Sequence, residues 1–267
     1  MKNIRIYCYW DLKFDLYHEK QIELYVDCLP QSVTPKDTIR FILLFEPQEI
    51  LNLNKDVIEG LKNNFFDHVF THNDFLLENC GDKAHLFEIG CTWIKEYDFP
   101  EKEFSVSTLV GSKLYAEGHY LRQKLWFKEN RIKNIKTRFF LSGVLSDIEN
   151  YNNNPVLGKE KNPLFNSQFH ICIENTKRKN WFSEKFIDCL RTKTIPIYYG
   201  CPNIGDWFNM NGIIMVNNLE DIVKACNDLK PDTYFEKLKY VEENFELSKK
   251  FFTISDRLEN KIKEFIT

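Results

Sequence analysis

The residues with the greatest capacity for chemistry in this 267-residue chain lie between Phe169 and Gly200. Phe169, Ile171 and Ile173 alternate with His170 and Cys172, the period of a strand, and the strand delivers two polar side chains, Glu174 and Asn175, at its C-terminal end. Open α/β sheets bind ligands at that end. The following loop, Thr176 to Phe182, carries Lys177, Arg178, Lys179 and Trp181. Ser183 can then cap a helix whose first turn presents Glu184 and Lys185, with Phe186, Ile187 and Leu190 on its buried face. A strand end, a basic loop and a helix N-terminus together form an anion pocket, in which free backbone amides and a cationic side chain face phosphate oxygens. The next strand, Ile195 to Tyr199, closes a βαβ unit before Gly200-Cys201-Pro202.

Other chemistries are not encoded. The ten glycines never form a GxG, so a dinucleotide turn and a Walker A loop are both missing. No Asp-x-Asp occurs, which removes the metal-holding signature of one large glycosyltransferase class. His68 and His72 on one strand would stand about 13 Å apart, too far to share an ion. The eight cysteines contain no CxxC pair, and most fall in apolar segments, so we expect buried free thiols in a reducing cytoplasm. Thirty-six Lys and Arg against 39 Asp and Glu leave a net charge of -3, which gives no global attraction to nucleic acid or an anionic membrane. No apolar run approaches the roughly 18 residues of a spanning helix, and Met1 to Trp10 lack the features of a signal peptide.

The elements that must position the pocket alternate between strand-like and amphipathic stretches, the pattern of an α/β architecture with parallel sheets. Ile4, Ile6, Cys8 and Trp10 have period two; a helix is expected over Tyr17 to Cys28, a strand over Ile39 to Phe45, a helix through Val57 to Leu61 and a strand over His68 to Thr71. Asp98-Phe99-Pro100 marks a boundary, giving domains 1-100 and 101-267, with the last helix packing back on the first. In the second half come a strand Phe104 to Val110 ending at Gly111-Ser112, a helix from His119 to Arg131 and a strand Arg138 to Leu141. Ser146 to Asn166, centred on Tyr151-Asn152-Asn153-Asn154-Pro155, reads as a long loop. Ile213 to Val216 is a strand, Leu219 to Leu229 a helix, and Asp232 to Ile266 largely helical.

Glu174-Asn175, Trp181-Phe182-Ser183-Glu184-Lys185 and Ile195-Pro196-Ile197-Tyr198-Tyr199-Gly200 resemble the C-terminal signature of the α-1,3/1,4-fucosyltransferases of glycosyltransferase family 10. The resemblance covers roughly residues 104 to 217, and Trp181 stands where the family more often has Tyr. It implies a GT-B-type fold, two Rossmann-like domains facing each other across a cleft, with residues 1-100 on the acceptor side and 101-267 binding the nucleotide sugar. It implies further that Asn175 and Lys185 hold the diphosphate, that Trp181 packs near it, and that Glu184 contacts the donor's sugar or ribose. Val110-Gly111-Ser112-Lys113 followed by Arg122 looks like the family's strand-end Ser and downstream donor-binding Arg. Phe45-Glu46-Pro47 looks like its short motif for the catalytic base, with Glu49 the nearest competitor; Glu78 and Glu88 also lie near strand ends but lack the motif.

The activity so implied is that of an inverting, metal-independent, cytoplasmic transferase moving fucose from GDP-fucose to a glycan hydroxyl, with no cofactor. Two other readings stay open at the level of sequence: a noncatalytic nucleotide-sugar or glycan-binding protein, and a transferase using a different nucleotide sugar.

Overall fold

The computed structural model describes residues 4-8, 12-30, 37-143 and 154-266. These form two compact units, one comprising Met1–Ile89, Lys179–Trp181 and Thr253–Thr267, the other Gly90–Arg178 and Phe182–Phe252.

The first unit contains β1 (Ile4–Tyr7), β2 (Gln21–Val26), β3 (Thr38–Leu43), α1 (Asn54–Lys62), β4 (His68–Thr71), α2 (Asp74–Asn79) and β5 (Ala84–Leu86). The five strands lie side by side in chain order and every pairing is parallel. Edge strand β1 alternates between exposed and half-buried residues, whereas β2 and β3 are buried on both faces. Tyr17 to Cys28 is not a helix: Gln21–Val26 is a strand paired along its whole length with β3 and over four residues with β1. Ile22, Leu24 and Val26 do alternate with Gln21, Glu23 and Tyr25, but a carboxylate in the middle argues against a buried strand until β3 sets Arg40 beside Glu23, at 3.5 Å. The short elements α2 and β5 are also additions to the sequence reading. The expected extension of β1 to Trp10 and the centre of the long loop, Tyr151-Asn152-Asn153, lie outside the described residues.

The second unit contains β6 (Glu103–Val110), α3 (Glu117–Trp126), β7 (Lys136–Ser142), β8 (Val156–Leu157), β9 (Ser167–Ile173), α4 (Glu184–Arg191), β10 (Ile195–Tyr199), β11 (Ile214–Met215), α5 (Leu219–Asp228), α6 (Thr233–Glu236) and α7 (Leu238–Ser248). A final helix, α8 (Ile254–Lys263), belongs to the first unit, where Phe265 just beyond it packs 4.4 Å from the His68 ring and 4.3 Å from that of His85. The six-stranded sheet is all parallel, in the order β11-β10-β9-β6-β7-β8. Successive residues of β9 serve opposite faces: Phe169, Ile171 and Ile173 join a core with Leu125, Trp126 and Ile222, while Cys172 joins another with Phe186, Ile187 and Leu190.

From β6 the chain winds outward through β7 and β8, and from β9 outward in the other direction through β10 and β11. The topology therefore reverses between β6 and β9. A crevice outside the carboxyl ends of these two strands is where an open α/β sheet binds ligands.

Candidate functional site

At that reversal point, Gly111 follows β6 and Glu174 and Asn175 follow β9. The N-terminus of α3 closes directly onto the end of β9: Gly118 N donates to Asn175 O at 2.9 Å, and a Cβ at position 118 would stand 1.8 Å from Glu174 O. Only glycine allows that approach. It brings Arg122, on the second turn of α3, beneath the strand end. Arg122 is 8% exposed and donates through Nη1 to Ile173 O and through Nη2 to Asn175 Oδ1 at 2.8 Å. Since guanidinium can only donate, the Asn175 amide must turn its oxygen to Arg122 and its NH₂ away from it.

The other wall is the start of α4, fixed from the same strand end. Buried Glu174 accepts from Ser183 N at 2.8 Å and from Ser183 Oγ at 2.6 Å, and Ser183 Oγ in turn accepts from Lys185 N as the N-cap. Glu174 thus holds the cap rather than presenting a carboxylate to a ligand. Lys185 Nζ lies 3.2 Å from Glu184 Oε1 and 3.9 Å from Glu174 Oε2. Lys161 reaches Glu184 at 3.6 Å and Asp188 at 3.3 Å, with its ammonium 4.0 Å from the Trp93 ring centroid.

The electrostatics follow from this packing. Burial opposes ionisation of Glu184, but Lys185 and Lys161 outweigh it and bring its pKa down to about 2. Burial likewise works against the Lys185 ammonium, and Glu184 and Glu174 overcome it, so its pKa is raised. Burial pushes Glu174 up against the opposing pull of Lys185. His119, whose Nδ1 accepts from Ala116 N at 3.2 Å, is drawn down to about 4 by burial and then by Arg122 and Lys113, leaving it neutral at pH 7.

These groups line one cavity of about 370 Å³ within the second unit, shared by Arg122, Asn175, Glu184 and Lys185 among the residues expected from the sequence. Ser112 is not part of the lining: its neighbours Gly111 and Lys113 are, while its carbonyl accepts from Gln123 Nε2 at 3.4 Å. Fixed donors and two cations at a strand end and a helix start suit an anionic ligand such as a diphosphate. Among the described residues, no three His, Cys, Asp or Glu side chains are grouped to hold a metal, and His68 pairs with His85, Nδ1 to Nε2 at 3.0 Å.

Glu46 and Trp181 lie in the first unit. The Phe45-Glu46 peptide group is held at both ends: its carbonyl accepts from Trp181 Nε1 at 3.2 Å, and its N–H donates to Asp27 Oδ2 at 3.0 Å. Asp27 Oδ1 also accepts from Phe45 N at 2.8 Å. Asp27, in a left-handed conformation (φ 52°) just after β2, escaped the sequence reading because its partners are 18 and 19 residues away. Burial raises its pKa to about 7, with the two amide hydrogen bonds opposing. An ordinary carboxyl titrates near 3.9, so the fold favours the protonated form; that stabilisation is complete below about pH 4 and is lost as pH rises through about 7. We therefore expect the melting temperature of Asp27→Asn, measured relative to wild type, to improve from pH 5 to about pH 7 and to level off above it. A difference that stays constant over this range would show that Asp27 ionises without penalty.

Two parallel α/β units, the second with its binding cavity at the topological switch, define a GT-B-type fold. Over 81% of this chain and 68% of the other, the structure is similar to that of an α1,3-fucosyltransferase with GDP-fucose, at 15% identity and a TM-score of 0.50. A GtfA/B complex is similar over 91% of this chain and 56% of the other, at 8% identity and a TM-score of 0.53. In sequence, the chain is 33% identical over 73 residues to the α-(1,3)-fucosyltransferase FucT of Helicobacter pylori, a match spanning 27% of this chain and 15% of that protein's length. No family model matches the chain.

Proposed function

We propose that this protein transfers fucose from GDP-fucose to a glycan hydroxyl, with inversion at the anomeric carbon and without a metal ion. The observation that carries the reading is the convergence of Arg122, Asn175 and Lys185 on one cavity at the switch point of a parallel sheet. The local identity to FucT supports the donor class. Eight free cysteines suit a reducing compartment, the cytoplasm.

Glu46 acts as the general base. It takes the proton of the acceptor hydroxyl as that oxygen attacks the anomeric carbon; the bond to the β-phosphate oxygen breaks on the opposite face, and GDP leaves with the electron pair. Charge growing on the β-phosphate is met by Lys185, Arg122, the Asn175 amide and the amides at the start of α4, already in place before the reaction. Such a set does the work a divalent ion does elsewhere. GDP should accordingly raise the melting temperature more than UDP at equal concentration, and by the same amount in EDTA. A shift that required magnesium or manganese would exclude the cationic-pocket mechanism.

A further inference from the structure

The cavity is lined by chemically different groups. Lys113, Arg122, Asn175 and Lys185 supply donors and positive charge, Lys161, Glu184 and Asp188 an ion-paired cluster, and Leu109, Leu164, Phe165 and Cys172 apolar surface; His170 lines the same cavity. His170 is 6% exposed, its ring 5.3 Å from that of Phe165, and among the described residues its one hydrogen bond is between Nδ1 and Ser107 Oγ, at 2.8 Å.

The position of the proton in that bond follows from Ser107. Its Oγ also lies 2.6 Å from Leu164 O, and a carbonyl can only accept, so the single hydroxyl proton is committed there. Ser107 must then accept from His170. Nδ1 carries the ring's proton, and Nε2 keeps its lone pair. Burial, with a smaller contribution from Lys161, draws the pKa down to about 3, so the ring is neutral at any working pH. His170 thus offers the cavity a neutral hydrogen-bond acceptor of fixed position.

Which end of a nucleotide sugar belongs there is set by the reaction. The anomeric carbon must stay within reach of the acceptor, which leaves the nucleoside end to the rest of the cavity. A nucleobase has apolar faces and an N–H edge. We propose that His170 is a specificity-determining residue for the donor's nucleobase, its Nε2 accepting a hydrogen bond from an N–H of the base seated in this cavity. This rests on the nucleotide-sugar reading above.

Calorimetric titration of GDP and of inorganic pyrophosphate into wild type, His170→Leu and His170→Gln tests it. His170→Leu should weaken GDP roughly tenfold and leave pyrophosphate unchanged, because the base contact is the one ligand contact it removes; the bond to Ser107 that it also removes touches neither ligand. His170→Gln, with an amide oxygen able to accept, should recover most of the loss. In the unsubstituted protein, the ¹⁵N resonance of the bare Nε2 should move when GDP is added and not when pyrophosphate is, a readout independent of how the variants fold. Unchanged GDP affinity in His170→Leu, equal loss of both ligands, or an Nε2 resonance indifferent to GDP would each overturn the proposal while leaving the anion pocket standing. Wild type that binds neither ligand would overturn the nucleotide-sugar reading itself.

Discussion

Replacing Glu46 with Gln is expected to reduce sugar transfer by about 10²- to 10⁴-fold while leaving GDP affinity unchanged. The substitution keeps the side chain's size and removes its ability to take a proton. The backbone at this position is fixed independently of the side chain, through Trp181 on the Phe45 carbonyl and Asp27 on the Glu46 amide, so the variant should keep its local structure. The groups expected to bind the donor sit in the other unit, on β9, α3 and α4. Loss of a base that acts on the acceptor hydroxyl raises the transition state without altering donor binding, and kcat should therefore fall while the affinity for GDP holds. Hydrolysis of GDP-fucose in the absence of acceptor is a usable assay, since water can take the acceptor's place. Wild-type turnover in Glu46→Gln would move the base elsewhere, with Glu49, in the turn after Pro47, the next residue to replace.

Lys185→Ala should weaken GDP binding by roughly ten- to a hundredfold, the equivalent of about 1.5–3 kcal/mol for a charge-assisted hydrogen bond. The substitution also takes from Glu174 the ammonium that offsets its burial and leaves Glu184 with Lys161 alone, so a smaller fall in melting temperature should accompany it. Arg122→Ala should weaken GDP similarly and cost more stability. Its guanidinium also satisfies the Ile173 carbonyl at the end of β9, and a buried carbonyl stripped of its donor is penalised. Lys177→Ala is the control: its ammonium reaches Asn217 Oδ1 and does not line the cavity. Titrations showing unchanged affinity in both Lys185→Ala and Arg122→Ala would mean that the pocket had been assigned to the wrong residues.

The most legible part of the molecule was β9, the loop after it, α4 and β10. Everything that builds that segment is local: alternation along Phe169 to Ile173, Ser183 capping its own helix, and an amphipathic α4 ending before the next strand. Periodicity and capping are decided by residues within a turn or two of each other, so a linear reading recovers them. The same logic failed at Gln21–Val26, where Glu23 sits in a buried strand only because β3 sets Arg40 beside it, a partner 17 residues away.

What the sequence could not determine alone is the set of partnerships between distant residues. Arg122 meets Asn175 because the chain reverses its winding between β6 and β9 and Gly118 lets α3 touch the strand end. Glu174 and Asn175, adjacent and equally polar, acquire opposite tasks, one holding the α4 cap and the other turned by Arg122 to present its amide NH₂. Trp181, which a linear motif places among the donor contacts, is hydrogen-bonded to the carbonyl before Glu46, and Asp27 holds the other end of the same peptide group. Neither role leaves a trace in local spacing, because each depends on an atom brought close by tertiary packing. The same holds for His170: its residue type was plain in the chain, but which ring nitrogen keeps a lone pair was decided by a serine 63 residues away whose only proton is already committed to a carbonyl.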